Sequence, residues 1–498
     1  MGDLDTTATG SVRFFLDGEL VELSAVDPTR TVLQFLREDL HRTGTKEGCA
    51  EGDCGACTVA LIELDETGRN LRTRAVNACI LFLPSIDGKE LVTVESLLGE
   101  GGDLHPVQQA LVDVHGSQCG FCTPGFVVSL FALYKNNPSP TRKDIDEALS
   151  GNLCRCTGYA PIVEAAEAMY RYPTPGDDWL RRAAYGNDAA RIERLQGIQR
   201  EDTLVTGLDD RRFYAPRSLG ELIALKRQYP EATLIAGGTD VGLWVTKQYR
   251  RPEVLILTSR VPELLRTRIS DGLVEIGAAV TLRDAVPLIT EHYPQLGQLF
   301  ARFASPPIRN VATLGGNIAN GSPIGDSMPP LMALGARVVL QGPSGQRELP
   351  LEDFYLDYMV TALTDDEVLA SIKIPLPADA GTIRCYKVSK RFDQDISALC
   401  LAFYLELEDG VVVSARIGAG GMAAIPKRAR RCEAAITGQP WDEAAVEAGM
   451  RALAKDFTPI DDFRASAEYR MRCAQNLFRR CYLETTRRKD YSVYDHGR

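Results

Sequence analysis

The sequence predicts a multidomain α+β protein, and three observations lead there. At 498 residues the chain is longer than one hydrophobic core organises, so three or four domains of roughly 100–200 residues are expected. The hydrophobic pattern alternates as far as Val94, becomes helical from there to Arg171, and is mixed beyond Leu234. Chemically distinctive residues also fall into blocks: eight of the thirteen cysteines lie between Cys49 and Cys156, and two glycine loops without cysteine follow, from Leu234 and from Asn310.

Composition narrows the function classes. A net charge of −11 opposes broad binding to nucleic acid or to an anionic membrane surface, since both would repel the chain. The longest apolar run, Gly125 to Tyr134, falls well short of the ~20 residues a spanning helix needs, so a core helix and no membrane are expected. The start, MGDLDTTATG, lacks the plan of a signal peptide, which predicts a cytoplasmic location. Gly2 with Thr6 fits a myristoylation pattern, but without a second anchor such a chain holds a membrane only marginally. Cysteines kept reduced are better read as metal ligands than as disulfides. The scattered Cys385, Cys400, Cys432, Cys473 and Cys481 read as small buried hydrophobes.

Residues 1–95 form the first expected domain. VRFFLDGELVEL, from Val12 to Leu23, is two strands around Asp17-Gly18, a hairpin turn signal. Val32, Phe35, Leu36 and Leu40 recur at helical spacing over Thr31 to Leu40. Cys49, Cys54 and Cys57 then follow in one loop, with Cys79 a further 22 positions on. Three thiolates in a tight loop and a distant fourth is the plant-type ferredoxin pattern for a 2Fe-2S cluster. Gly48, Gly52 and Gly55 let the backbone wrap closely and aim N–H groups at sulfur. Zinc or redox thiols are the other reading, although zinc usually takes its ligands in two close pairs.

Residues 96–171 form a second, helical domain. Four helices are expected: Pro106 to Val114, one led by Thr123 as N-cap with Pro124 behind it, one opened by a Thr141–Asp144 capping box, and Ala160 to Arg171. Cys119 and Cys122 precede one helix, and Cys154 and Cys156 another, where N-terminal backbone favours thiolate. The four would hold a second 2Fe-2S cluster. A four-cysteine zinc site remains the alternative.

The segments CAEGDCGAC, QCGFCTPG and GNLCRCTGY, in this order, resemble the xanthine oxidase family of molybdenum hydroxylases. The resemblance implies a plant-type ferredoxin β-grasp domain followed by a four-helix 2Fe-2S domain. It also places Gln118 against the pterin of a molybdenum cofactor in a neighbouring domain.

Residues 172–210 weaken into a Pro-, Gly- and charge-rich linker with at most a short helix. From 211 to 378 a third chemistry is expected. Leu234, Ile235, Ala236, Gly237, Gly238, Thr239, Asp240 and Val241 read as strand, glycine turn and helix start, which presents N–H groups to phosphate. The run Asn310 to Asp326 adds small residues and amides. The two loops resemble the FAD-binding loops of the same family, implying a vanillyl-alcohol-oxidase-type FAD domain. Within it Ala236 to Val241 and Thr313 to Asn317, including Gly316, surround the phosphates and ribityl chain. The resemblance further brings Asp326, Leu369 and Lys387 to the flavin and Tyr358 to a nicotinamide. Gln394 stands where many relatives have an acid, which bears on NAD binding. For Lys387 and Tyr358 the alternative is a solvated strand end. Residues 379–490 read as a small α/β domain with strands Cys385–Val388, Leu399–Glu406 and Val411–Ile417, and with a turn over Gly418 to Gly421.

No catalytic residue is assigned. The family resemblance implies the iron-sulfur and flavin subunit of an oxidoreductase, with the molybdenum cofactor on a separate large subunit and a dimer of two-chain units. Electrons from oxidation of hypoxanthine or xanthine to urate would pass through two 2Fe-2S clusters to FAD and then to NAD+. The equivalent subunit of an aldehyde, carbon monoxide or aromatic N-heterocycle hydroxylase is the nearest alternative, and a non-catalytic zinc-binding protein the more distant one.

Overall fold

The computed structural model describes residues 10–99, 102–173, 188–378 and 381–486. The chain divides into two compact units. The first is Met1–Pro262 with Thr281–Arg283 and Ala304–Ala312, and the second holds the rest.

In the first unit, β1 (Val12–Leu16) and β2 (Glu19–Leu23) pair antiparallel around Asp17 and Gly18, whose φ values of 51° and 82° are those of the expected tight hairpin. Thr31 caps α1 (Val32–Gln34) through a reciprocal box with Gln34, and the helix continues as a π turn over Phe35–Asp39. With β3 (Thr58–Leu64), β4 (Leu71–Asn77) and β5 (Glu90–Val92), the strands form a mixed β-grasp sheet in the order β2-β1-β5-β3-β4.

Alternation along β3 decides how this sheet is covered. Val59 and Leu61 join Phe14, Phe35 and Leu36 on one face. Ala60 and Ile62 join Val107, Phe126 and Phe131 on the other. Successive side chains of a strand point to opposite faces, so the helical domain covers the second face of the ferredoxin-like sheet.

That domain has α2 (Pro106–Asp113), α3 (Thr123–Asn136), α4 (Arg142–Leu149) and α5 (Ala160–Ala168). The Thr141–Asp144 capping box is present. Thr123 is not an N-cap, however: Cys122 holds that place in helical conformation, and the Thr123 hydroxyl bonds Ser117 Oγ at 2.7 Å. Gly125 to Ala132 of α3 is wholly buried, as a core helix should be. No helix among the described residues is long and apolar enough to cross a membrane.

The expected linker contains α6 (Asp188–Gly197) and also β6 (Leu204–Leu208), which pairs with β7 (Arg211–Ala215). α7 (Leu219–Gln228), β8 (Thr233–Ile235), α8 (Val241–Thr246) and β9 (Val254–Leu257) complete a sheet in the order β6-β7-β9-β8, with β7, β9 and β8 parallel.

The second unit contains an antiparallel sheet β10-β11-β16-β12-β13, built from β10 (Thr267–Ser270), β11 (Leu273–Gly277), β12 (Arg337–Gly342), β13 (Gly345–Pro350) and β16 (Val368–Pro375). Its helices include α9 (Leu282–His292) from Asp284 onward, α10 (Gly297–Ala301), α12 (Leu314–Asn320) and α13 (Met328–Ala333), while α11 (Pro306–Arg309) belongs to the first unit. A small ribbon, β14 (Tyr355–Asp357) and β15 (Val360–Thr361), precedes β16. β17 (Gly381–Val388), β18 (Leu399–Glu408), β19 (Val411–Gly420) and β20 (Lys427–Arg428) form an antiparallel sheet, packed with α14 (Arg430–Ile436), α15 (Glu443–Asp456) and α16 (Ala467–Thr486) around Phe403 and Phe478.

The turn expected over Gly418 to Gly421 is a correction. β19 runs through Gly420 and only Gly421 has left-handed φ. These glycines serve close approach instead: a Cβ on Gly418 would lie 2.1 Å from the Pro329 carbonyl.

Candidate functional site

The first cysteine loop is shaped by glycine. Gly52 and Gly55 have φ of 78° and 70°, which side chains resist. A Cβ on Gly48 would stand 2.8 Å from Cys54 Sγ. The Cys54 amide donates to Cys49 Sγ at 3.3 Å. Cys57 and Cys79 are buried, Cys49 and Cys54 half-buried. Cys49 interacts with Cys54 and Cys79, whose thiols hold it well below the usual thiol range. Cys54 is pushed up by Cys49 and by burial, and Cys79 by Cys49 and Cys57. The Cys49 thiolate is therefore stabilised by the protein, whereas Cys54 and Cys79 would need a bound cation to lose their protons.

The second set converges in two pairs. Cys119 meets Cys156: donation from the Phe121 amide lowers Cys119, and Cys119 in turn raises Cys156. Cys122 meets Cys154. Burial, then Cys154, pushes Cys122 up to about 12. Burial alone would raise Cys154 as well, but the Thr157 hydroxyl and amide bring it below its ordinary value. A 2Fe-2S cluster takes four thiolates, two on each iron, and each cysteine set supplies four. The donor set and the glycine cradle thus fit two such clusters. Cys119 and Cys156 are exposed, and so is Gln118.

The two loops touch. The Leu153 amide donates to the Cys54 carbonyl at 3.0 Å. Asn152 Nδ2 donates to the Gly55 carbonyl at 3.1 Å, and Asn152 Oδ1 accepts from Ser129 Oγ at 2.6 Å. A Cβ on Gly55 would lie 2.1 Å from the Gly151 carbonyl, and one on Gly125 equally close to that of Gly55. Asn152 and Leu153 went unnoticed as site residues in the sequence; their adjacency to Cys154 is the one signal that could have flagged them.

The first glycine loop follows on. Leu234 and Ile235 end β8, and Ala236 to Asp240 turn into α8, which begins at Val241. A Cβ on Gly237 would be 2.0 Å from the Val311 carbonyl, and one on Gly242 2.8 Å from that of Ile80. Ile80 is the neighbour of Cys79, and Lys247 of α8's C-cap reaches the Cys49 carbonyl. One side of the ferredoxin-like loop therefore meets the helical cysteine loop, and the other meets the start of α8.

In the second unit, Thr313 caps α12 by accepting the Gly316 amide at 2.9 Å. The Gly315 amide bonds the Ala278 carbonyl and the Ala278 amide that of Ala370, which sets Thr313 to Asn317 beside the strand carrying buried Leu369. Asn317 Oδ1 accepts from Ser327 Oγ. Lys387 is not a solvated strand end: its ammonium meets Asp326 Oδ2 at 2.5 Å with both side chains almost fully buried. Asp326 Oδ1 also accepts from Ser397 Oγ at 2.6 Å. Tyr358, by contrast, is 61% exposed in the β14–β15 ribbon. Gln394 has φ of 58°, and its amide is buried without a partner among the described residues.

Comparison with known proteins agrees with this layout. A 2Fe-2S iron-sulfur cluster binding domain matches residues 14–83 and a second 2Fe-2S binding domain residues 93–167. The FAD binding domain in molybdopterin dehydrogenase matches 209–377, and the CO dehydrogenase flavoprotein C-terminal domain 384–485. A solved carbon monoxide dehydrogenase from Hydrogenophaga pseudoflava is 31% identical over 54% of this chain and 94% of that one, with a TM-score of 0.52. The chain belongs to the molybdenum hydroxylase family. Curated relatives of this molybdenum hydroxylase chain include xanthine dehydrogenases of Emericella nidulans, 34% identical over 95% of the chain, and of Drosophila pseudoobscura pseudoobscura, 33% identical over 96%. The chain spans only 38% and 40% of their respective lengths. The expected fold class stands as a multidomain α+β chain with 2Fe-2S domains, an FAD-binding domain and a C-terminal flavoprotein domain.

Proposed function

We propose that the chain is the electron-transfer subunit of a xanthine dehydrogenase, carrying electrons from a molybdenum site on a partner subunit to NAD+. The observation that carries this reading is the contact order within the first unit: helical cysteine loop, ferredoxin-like cysteine loop, then glycine loop. Cys49, Cys54, Cys57 and Cys79 would hold one 2Fe-2S cluster, and Cys119, Cys122, Cys154 and Cys156 the other. FAD would lie on Leu234 to Val241 and on Thr313, Gly316, Asn317, Asp326, Leu369 and Lys387. When bound, it supplies a two-electron store that fills one electron at a time and empties as hydride, which the clusters cannot do.

The protein's own residues have distinct tasks. Backbone N–H groups at Cys54 and Phe121 aim at sulfur and would tune clusters held there. The glycines allow short separations between loops, and the Asp326–Lys387 pair places a fixed ammonium in the flavin domain. Exposed Phe121, Leu153 and Tyr159 beside the exposed Cys119 and Cys156 suit the docking of a molybdenum-bearing subunit at the helical cluster.

The substrate rests on relatives: the xanthine dehydrogenases align across nearly the whole chain, the carbon monoxide dehydrogenase over about half. The test is copurification followed by assay with xanthine and NAD+. Flavin and iron-sulfur absorbance, a large molybdenum-bearing chain and urate formation are expected. Two zinc ions per chain with no visible bands would end the electron-transfer reading, and turnover of an aldehyde but not xanthine would reassign the substrate.

A further inference from the structure

The first unit carries a pocket whose chemistry differs from that of the cysteine and glycine loops. It opens beyond the carboxyl ends of two parallel strands, lined by Ala215 at the end of β7, Leu257 at the end of β9, and by Arg217 and Arg260 just past them. Open α/β sheets place ligands at this edge. The pocket is about 300 Å³, counting the solvent in its mouth. None of the residues assigned above to flavin or clusters lines it.

Its charges do not balance internally. Arg200 is engaged, with Nε at 3.0 Å from Asp87 Oδ2 and its Nη2 on the Ser11 carbonyl. Asp87 also accepts the Arg13 amide at 2.8 Å. The nearby Glu63 is taken by Lys89 at 2.5 Å and Arg74 at 3.2 Å. Asp202 lines the rim but is exposed. Among the described residues Arg217 and Arg260 have no such partner. Among the described residues Arg217 bonds only through its backbone amide, to Glu221, and Arg260 Nη2 is buried without an acceptor. Burial pushes the Arg260 guanidinium down, and neighbouring Arg217 and Arg200 add to the strain on its charge, against the help of Asp87 and Glu63. A buried donor left without an acceptor is costly, the more so when charged, so two guanidinium forks facing one pocket favour an anion. Guanidinium groups match tetrahedral oxyanions in geometry as well as charge.

We propose that this pocket binds a phosphate-class oxyanion between the Arg217 and Arg260 guanidinium groups. The group belongs either to free phosphate or to a nucleoside monophosphate, and both present the same oxygens to the arginines.

The test is equilibrium dialysis of the full chain, loaded with FAD and clusters, against radiolabelled inorganic phosphate and, separately, adenosine 5′-monophosphate. Saturable binding of one equivalent is expected, weakened at least about tenfold, or ~1.4 kcal/mol, in both Arg217→Gln and Arg260→Gln. Arg217→Gln breaks no ion pair, so its melting temperature without ligand should match the parent. Tighter binding of the nucleotide assigns that source, and equal or tighter binding of phosphate assigns the free ion; either supports the site. No binding of either compound, affinity unchanged in both variants, or binding seen only after FAD is removed would overturn it.

Discussion

His105 illustrates how one buried side chain ties stability to pH. It caps α2, accepting the Val107 amide on Nδ1 at 3.2 Å, and it packs edge-on against Phe131 and Tyr134. Burial, with a smaller contribution from Lys135, lowers its pKa from 6.5 to about 3. The unfolded chain therefore binds a proton between about pH 6.5 and 3 that the folded chain refuses. Stability should fall by about 1.4 kcal/mol per pH unit as pH drops through that window. Urea unfolding at stepped pH would show this slope, and His105→Asn, which keeps a capping oxygen, should flatten it. Persistence of the full slope in the variant would assign the proton elsewhere. Residue chemistry of this kind was only partly legible. The cysteines declared themselves by spacing, whereas nothing local to Lys387 foretold its burial against Asp326, 61 residues away.

Elements meet here through glycines, and that is where substitutions should act most sharply. Gly55→Ala would press a methyl group on the Gly151 carbonyl at a left-handed φ. Strain of ~1–3 kcal/mol is expected from the backbone alone, with the signals of both clusters altered in electron paramagnetic resonance. Asn152→Ala should cost about 1–3 kcal/mol by leaving the buried Ser129 hydroxyl without its acceptor, measured by thermal unfolding, while the Gly55 carbonyl keeps its bonds from Thr58. Gly237→Ala forces the first glycine loop off Val311 and should lower the flavin content of purified protein while leaving iron content intact. Equal flavin in parent and variant would remove this loop from the flavin site. At this scale the hairpin, the Thr141 box and the core helix were visible in advance, because turns, caps and apolar runs are local properties. β6 was not. A five-residue strand containing glycine has little pattern of its own, and its pairing with β7 makes it a strand.

For the molecule as a whole, the contact order predicts an order of reduction. With flavin reduced by light in the absence of any substrate, Cys154→Ser should lose the helical cluster yet pass electrons to the remaining one at the parental rate. Cys57→Ser should leave the helical cluster reduced far more slowly, since the intervening relay is gone. Stopped-flow absorbance distinguishes the two, and parental reduction of the helical cluster in Cys57→Ser would refute the order. In both variants oxidation of substrate by the assembled enzyme should no longer reduce flavin.

By itself the sequence determined the inventory: eight cysteines at ligand spacing, two glycine loops, and helix signals such as the Thr141 box. Each follows from bonding between near neighbours, so spacing and residue type suffice. The tertiary structure alone decided how the parts adjoin. It put the ferredoxin-like sheet's second face under α3, brought Leu153 to Cys54 and Ile80 to Gly242, drew β19 through Gly420 past Pro329, and gathered Arg217 and Arg260 at one pocket. Contacts between residues far apart in the chain leave no periodic trace in it, because they depend on packing shape, and shape exists only once the chain has folded.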